Sequence, residues 1–327
     1  MENTFSVRYD ILIILALIIS GCDSKKDYEF DPVVVPTRSI KIDSLYTTTE
    51  YIPTGGGDSL FSGVKGNFDV YSILKFDTIP GSYDSIFIKL KSDSTNIELQ
   101  FYKVIDEWFE DSLYKWEDLT LLIDTTVVLD TSIVNTANPL IKLNDQSINV
   151  IDEYGIAIYS DSFYSFASRE ENEPKLRIYI GDSIRDLSCL GDLFIVNNPY
   201  DSLLTDTLLI GRGLDIKPTL FIPVDSLPSN RDNIVRAGLI FKVEEPLPFN
   251  IVAYDSGGFE YSSKDYIEGD TNFIEFDLRT LIQSDFLKSH IKVVIGAKDR
   301  LGGIDVKTLK RLDRGDLRIM WAEIGMK

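Results

Sequence analysis

Histidine, cysteine and methionine are all scarce in this chain of 327 residues, which contains one, two and three of them respectively. One histidine, His290, provides almost no material for imidazole-based triads or for zinc sites rich in histidine. Two cysteines, Cys22 and Cys189, cannot build the disulfide framework of a small secreted domain. Cys189 lies in the segment Leu187-Ser188-Cys189-Leu190, where we expect a small buried residue and no reactive thiol.

Basic residues are also fewer than acidic ones. The chain has 33 Lys and Arg and 52 Asp and Glu, which gives a formal charge of −19. Nucleic acids and anionic lipid surfaces are bound by clustered basic residues, so the composition argues against both. An acidic surface fits solvation outside the cytoplasm, cation binding or solubility. Disorder throughout the chain is excluded by 44% hydrophobic residues, with 16 Tyr and 18 Phe to build cores.

The longest apolar run near the N-terminus is too short to span a bilayer. Residues 11–19 are nine apolar residues, about half of the ~20 that a membrane span needs. The run ends in Ile19-Ser20-Gly21-Cys22, which resembles the lipobox of bacterial lipoproteins. We therefore predict a lipoprotein signal peptide over residues 1–21 and lipidation of Cys22. The segment before the run departs from the usual positive charge, because Glu2 and Asp10 accompany Arg8.

Residues 22–36 begin with a charged, polar stretch and contain Pro32 and Pro36, which predicts a flexible tether between the lipid and the folded chain. The lipid anchor makes the membrane a partner of this protein. We expect it in the cell envelope, at the outer membrane, in either the periplasmic or the surface-exposed leaflet.

The remainder of the chain has the pattern of β-strands. Apolar and polar residues alternate over 85–91, 97–102 and 175–180, which predicts strands with one buried and one solvated face. Asp-Ser dipeptides, of which the chain has eleven, separate such runs and favour turns. The fold class predicted from this pattern is all-β, built from antiparallel β-sandwiches.

The chain also repeats itself in order. The segment 58–63 (DSLFSG) recurs 148 residues later as 206–211 (DTLLIG), and Leu176-Arg177-Ile178 is echoed by Leu317-Arg318-Ile319. A unit of this length indicates a duplicated domain and not a solenoid repeat. We predict two tandem β-sandwich domains, over 37–181 and 187–327, each large enough to fold alone.

Several segments of the first predicted domain resemble one family. YSILKFDTIP (71–80), EWFEDSLYKW (107–116), YGIAI (154–158) and FYSFASREENEPKL (163–176) are similar to the motifs of DNRLRE-type, or disaggregatase-related, domains. The resemblance covers roughly residues 44–180 in the family's order. The second domain lacks the Trp pair and the Pro-Lys-Leu ending, so it resembles a divergent relative.

The family resemblance implies jelly-roll-like sandwiches related to carbohydrate-binding modules, some of which bind acidic polysaccharide. Aromatic side chains near the family motifs are the candidate ligand contacts, because sugar rings pack on aromatic faces; they are Trp108, Trp116, Tyr159 and Tyr164. The alternative for each is a role in packing the core or anchoring a loop.

Two runs of carboxylates stand out, one over 106–111 and one over 170–173. Paired carboxylates would serve a glycosidase, and clustered oxygens would hold a structural Ca²⁺. In a chain with 52 acidic residues such runs are expected, so solvated loops are the favoured interpretation of both. We assign no catalytic residue and no cofactor beyond a possible structural Ca²⁺, and leave the metal ligands open.

The leading hypothesis is a non-catalytic, lipid-anchored envelope protein that binds polysaccharide or a surface partner through its sandwich domains. One alternative is an envelope scaffold or assembly factor with protein partners only. The other is a polysaccharide-degrading enzyme that uses carboxylates or tyrosine.

Overall fold

A computed structural model describes residues 37–40, 42, 44–92, 94–171, 173–199, 207–229, 231–244, 247–284, 289–310, 312 and 316–321. The predicted signal peptide, Cys22 and the tether lie outside these residues. No helix within the described part of the chain is both long and apolar enough to cross a membrane.

Strands dominate the described residues, as the alternating sequence pattern predicts. In chain order they are β1 (Thr37–Ile40), β2 (Ser44–Glu50), β3 (Ser59–Lys65), β4 (Phe68–Phe76), β5 (Ser85–Lys89), β6 (Ile97–Val104), β7 (Ile123–Val134), β8 (Leu140–Lys142), β9 (Ile156–Tyr159), β10 (Tyr164–Ala167), β11 (Lys175–Ile180), β12 (Ser183–Val196), β13 (Thr207–Arg212), β14 (Asp215–Pro223), β15 (Ile234–Val243), β16 (Ile251–Tyr254), β17 (Glu260–Glu268), β18 (Thr271–Asp277), β19 (His290–Ala297), β20 (Asp305–Lys310) and β21 (Leu317–Trp321). The short helices are α1 (Leu119–Leu122), α2 (Asp145–Ile151) and α3 (Arg279–Ser284), with 3₁₀ turns at Trp116–Asp118, Arg169–Glu171, Val224–Ser226 and Arg231–Asn233.

The strands form two antiparallel sheets within the described residues. Sheet I has the order β7-β6-β9-β4-β12-β11-β5-β8, with β3 pairing with both β4 and β10. Sheet II has the order β1-β21-β15-β18-β17-β16-β19-β14-β2, with β20 pairing with both β13 and β15. The predicted all-β, antiparallel fold class is therefore confirmed.

Each sheet folds over on itself along one long strand. In sheet I the first half of β12 pairs with β11 and its second half pairs with β4, with a register shift between Cys189 and Gly191. In sheet II β17 changes partner in the same way, from β16 to β18. The extra residue of a bulge bends a strand, which lets β12 pass from one face of the fold to the other.

Because apolar and polar residues alternate, the apolar side chains of sheet I lie between the two layers of the folded-over sheet. Ile86 and Ile88 of β5 meet Leu99 and Phe101 of β6 in one buried cluster. Sheet II encloses a second cluster of the same kind. The strands predicted over 85–91, 97–102 and 175–180 are present as β5, β6 and β11.

The outer face of sheet I is also covered over part of its area. Ile73 and Ile195 point away from the main core and are buried beneath the segment of residues 105–122, which joins β6 to β7. Trp108 and Leu119 of that segment belong to the same cluster. The 105–122 segment is therefore a packed cover that positions its aromatic residues against the sheet.

The sequence repeat falls on corresponding strands of the two sheets. The repeated segments 58–63 and 206–211 contribute to β3 and β13, and the echoed triplets lie in β11 and β21. In sheet I, β12 pairs with β11 and with β4. In sheet II, β21 pairs with β1, and β14 pairs with β2. β1 pairs with β21 as β12 pairs with β11, and β2 pairs with β14 as β12 pairs with β4. In sheet II, β1 and β2 thus take the place that β12 has in sheet I.

This arrangement differs from the predicted domain boundaries of 37–181 and 187–327. Residues 37–50 precede sheet I in the chain but belong to sheet II, and most of β12 follows the predicted boundary but belongs to sheet I. β1 and β2, which precede the first half of the chain, complete sheet II. β12, which precedes the second half, completes sheet I. Hydrogen bonding along β11 and β4, and not the polar turn at 181–186, decides where β12 belongs.

The two sheets also share apolar and ionic contacts. Leu214, Ile216 and Ile304 from the second half are part of the buried cluster of sheet I. At the same junction Lys65 forms an ion pair with Asp305 at 2.8 Å. Exchanged strands and shared contacts together join the halves into one unit.

Candidate functional site

Trp108 is buried and anchors the 105–122 segment. Its side chain is 3% exposed, and its indole Nε1 donates a hydrogen bond to the carbonyl of Tyr154 at 2.8 Å. The ring lies over Gly191, where an added Cβ would approach it to 3.4 Å. The prediction that Trp108 stacks on a ligand is therefore corrected to a role in packing, because a ring that is 3% exposed offers a ligand almost no surface.

Tyr164 is also buried, with no measurable exposure, and stacks on Phe166 with ring centroids 5.4 Å apart. It points into the core of sheet I because β10 alternates in register with β3. Burial raises the pKa of Tyr164 to about 12. Its predicted role as a ligand contact is corrected to a role in the core.

Trp116 and Tyr159, the other two predicted contacts, are half-buried and lie close together. They belong to an aromatic cluster on the outer face of sheet I, formed by Tyr71, Tyr102, Trp116 and Tyr159. Tyr71 stacks on Tyr159 with centroids 4.4 Å apart and planes inclined by 20°. Trp116 lies 6.0 Å from Tyr71 and is tilted by 50°. The neighbouring strands β4, β9 and β6 and the 105–122 segment supply these rings.

Polar groups border the aromatic cluster. The Tyr159 hydroxyl donates to Asp69 Oδ1 at 3.3 Å, and the Tyr102 hydroxyl donates to Gln100 Oε1 at 2.6 Å. Burial, followed by the charge of Asp69, raises the pKa of Tyr159 to about 12. Burial also raises the pKa of Tyr102, with a smaller contribution from the charge of Asp161. The rings are thus neutral, and the border carries acceptors and negative charge.

Tyr71 and Tyr102 are not among the contacts predicted from the sequence, although a signal for them is present. Tyr71 alternates with the core residues Val70 and Ser72 of β4, and Tyr102 follows Phe101 of β6. Alternation alone places Tyr71 outside the core. Only the pairing of β4 and β6 with β9 brings these tyrosines beside Tyr159.

A second group of polar residues lies where three distant segments meet. Glu110 of the 105–122 segment, Glu170 of the 3₁₀ turn and Asp192 of β12 form a carboxylate cluster. One oxygen from each lies within 4.8 Å of the others. The runs over 106–111 and 170–173 contributed one member each, whereas Asp192 is isolated in the sequence and was missed.

Arg169 contacts every member of the carboxylate cluster. Its guanidinium pairs with Glu110 at 2.5 Å and with Glu170 at 3.3 Å, and it also donates to the carbonyl of Leu190 at 2.9 Å. Its backbone N–H donates to Asp192 Oδ2 at 2.7 Å. The guanidinium therefore pairs with two of the three carboxylates, and the third, Asp192, is held by the backbone of the same residue.

Asp192 is the most strongly perturbed acid of the carboxylate cluster. It is fully buried, and burial is the main reason that its pKa rises to about 7, with further increases from Glu170 and Glu110. Burial likewise raises the pKa of Glu110, although Arg169 opposes the change. Ionisation of Asp192 at this point in the interior is thus costly.

The remaining reactive side chains have ordinary surroundings. His290 is exposed at the start of β19, and its Nδ1 lies 3.1 Å from the Ser289 hydroxyl. The Cys189 thiol is buried and donates to the carbonyl of Gly191 at 3.1 Å. Burial raises the pKa of this thiol, so it is a poor nucleophile.

The fold and these sites define an all-β protein with two antiparallel sheets, a half-buried aromatic cluster and a separate carboxylate cluster. No protein-family model matches the chain, and no curated protein matches it. One similar solved structure is the N-terminal domain of the Streptococcus gordonii adhesin Sgo0707, at 11% identity and a TM-score of 0.19. The match covers 80% of this chain and 58% of that one, less than two thirds of its length. A likeness this weak carries no argument about function.

Proposed function

We propose that this chain is a lipid-anchored protein of the cell envelope that binds a neutral glycan through the aromatic cluster and does not catalyse a reaction. The observation that carries the proposal is the half-buried stack of Tyr71 and Tyr159 with Trp116 beside it. Rings that are held by packing and still reach solvent offer a preformed surface for the CH groups of a sugar.

The border of the aromatic cluster supports a neutral ligand. Asp69 and Gln100 present oxygen acceptors next to the rings, and sugar hydroxyls are suitable donors to them. An acidic polysaccharide would meet Asp69, Asp161 and a chain of net charge −19. Like-charge repulsion therefore favours neutral over acidic glycans.

The N-terminal motif supports the location. The apolar run and the segment that ends in Cys22 support an acylated anchor, and residues 23–36 would separate the folded sheets from the lipid. Labelling of cells with a fatty-acid analogue should modify the native protein but not a Cys22→Ser variant. Equal labelling of both proteins would contradict the anchor.

Glycan binding is tested with the full chain in detergent on an array of neutral and acidic polysaccharides. Trp116→Ala and Tyr159→Ala remove ring area from the aromatic cluster, so each should weaken binding by about ten-fold, or about 1.4 kcal/mol. Phe259→Ala is the matched control, because Phe259 is a well-exposed ring near sheet II. It should bind like the native protein.

Circular dichroism and thermal melts of each variant separate loss of the surface from loss of the fold. Binding that falls equally in Phe259→Ala, or that is confined to acidic polysaccharide, would refute the assignment. Absence of binding to every glycan would refute glycan recognition and leave the hypothesis of a scaffold with protein partners. Release of reducing or unsaturated sugar products would refute the non-catalytic part.

A further inference from the structure

We propose that the carboxylate cluster of Glu110, Glu170 and Asp192 is a binding site for one Ca²⁺ ion. The geometry fits, because one oxygen from each residue lies within 4.8 Å of the others. Calcium binds oxygen ligands at about 2.3–2.6 Å, so two oxygens on one ion are at most about 5 Å apart. The cluster also joins three segments that the sequence separates widely.

A second observation points to a missing partner. Asp192 is fully buried, and its Oδ1 has no hydrogen-bond partner among the described residues. Its other oxygen accepts the backbone N–H of Arg169. A buried carboxylate oxygen without a partner is costly, and a bound cation is a partner that it can take.

The charge balance of the site favours a divalent ion. Of the three carboxylates, the Arg169 guanidinium pairs with two, Glu110 and Glu170, and it also donates to the carbonyl of Leu190. The Arg169 side chain is 38% exposed. It can therefore turn toward solvent when an ion enters, while its backbone N–H still holds Asp192.

The donor chemistry favours calcium over softer metals. All three candidate ligands are carboxylates, which suit hard cations. The nearby Cys189 thiol, which would suit a softer metal, instead donates to the carbonyl of Gly191. Bound calcium would fasten the 105–122 segment to β12 and to the 3₁₀ turn at Arg169–Glu171.

The test is calcium titration of the full chain in detergent after removal of metal with EDTA, followed by calorimetry and by thermal melts. Native protein should bind one Ca²⁺ and melt at a higher temperature with calcium than in EDTA. Trp108 lies over Gly191, next to Asp192, so tryptophan fluorescence should change at the same stoichiometry.

Three variants distinguish this site from the acidic surface in general. Asp192→Asn should weaken calcium binding by about ten-fold or more, since it removes a ligand charge. It should still melt in EDTA no earlier than the native protein, because a buried charge is lost. Arg169→Met should bind calcium more tightly, because a competing cation is removed. Glu171→Gln, an exposed neighbour in the same turn, should bind like the native protein.

Several results would overturn the proposal. One is a native protein whose melting temperature calcium does not raise. Another is equal calcium binding by Asp192→Asn, Glu171→Gln and native protein, which would indicate diffuse binding to surface acids. Calcium binding by Arg169→Met but not by native protein would show that the arginine, and not an ion, completes the native cluster. An equal rise in melting temperature with Mg²⁺ would contradict the assignment to calcium.

Discussion

Cutting the chain at the boundary that the sequence suggests should destroy the first sheet. A fragment of residues 51–181 ends before β12, whereas a fragment of residues 51–199 retains it. β12 lies between β4 and β11 in sheet I, so its removal leaves the edges of both strands unpaired. We expect the longer fragment to unfold cooperatively and the shorter one to show no cooperative transition.

The expected size of the effect follows from what β12 buries. Leu193, Phe194, Ile195 and Val196 are each at most 2% exposed. Full burial of such a side chain contributes about 1.5–3 kcal/mol, so the four together contribute about 6–12 kcal/mol. This is comparable to the whole free energy of unfolding of a typical domain, about 5–15 kcal/mol.

The assay is urea denaturation of the two fragments, followed by tryptophan fluorescence and far-UV circular dichroism. Both fragments contain Trp108 and Trp116, so the same probes report on both. A fragment of residues 51–181 that unfolds at the same urea concentration as residues 51–199 would refute the reasoning. It would show that β11 and β4 do not depend on β12.

Three further outcomes are expected from the described side chains. Trp108→Ala should lower the free energy of unfolding in urea by about 3–5 kcal/mol, because it leaves a cavity at a buried ring and removes the hydrogen bond to Tyr154. Loss of glycan binding at unchanged stability would contradict this prediction. Cys189 should resist iodoacetamide at pH 8 until urea is added, measured by mass spectrometry, since burial raises its pKa; rapid labelling of folded protein would contradict it. Tyr159 ionises near pH 12 when folded but near 10 when unfolded, so stability should be intact below pH 10 and fall between about pH 10 and 12. Tyr159→Phe should reduce that fall in thermal melts, and an unchanged slope would count against the raised pKa.

Of the candidate contacts, the sequence could identify the residue types but not their surroundings. Trp108 and Trp116 come from the same segment and carry the same ring, yet one is buried over Gly191 and the other is half-exposed beside Tyr71. The carboxylate cluster shows the same limit. Glu110 and Asp192 meet only because the first part of the 105–122 segment packs against β12.

The sequence by itself determined the β-strand content, because alternation of apolar and polar residues is a local property that each strand carries. The motif that ends in Cys22 is equally local, and it predicts the anchor without reference to the fold. Only the tertiary structure decided that β1 and β2 complete sheet II and that β12 completes sheet I. Backbone hydrogen bonds are nearly independent of side-chain identity, so any amphipathic strand could satisfy either edge. Long-range packing, which no local pattern records, made the choice.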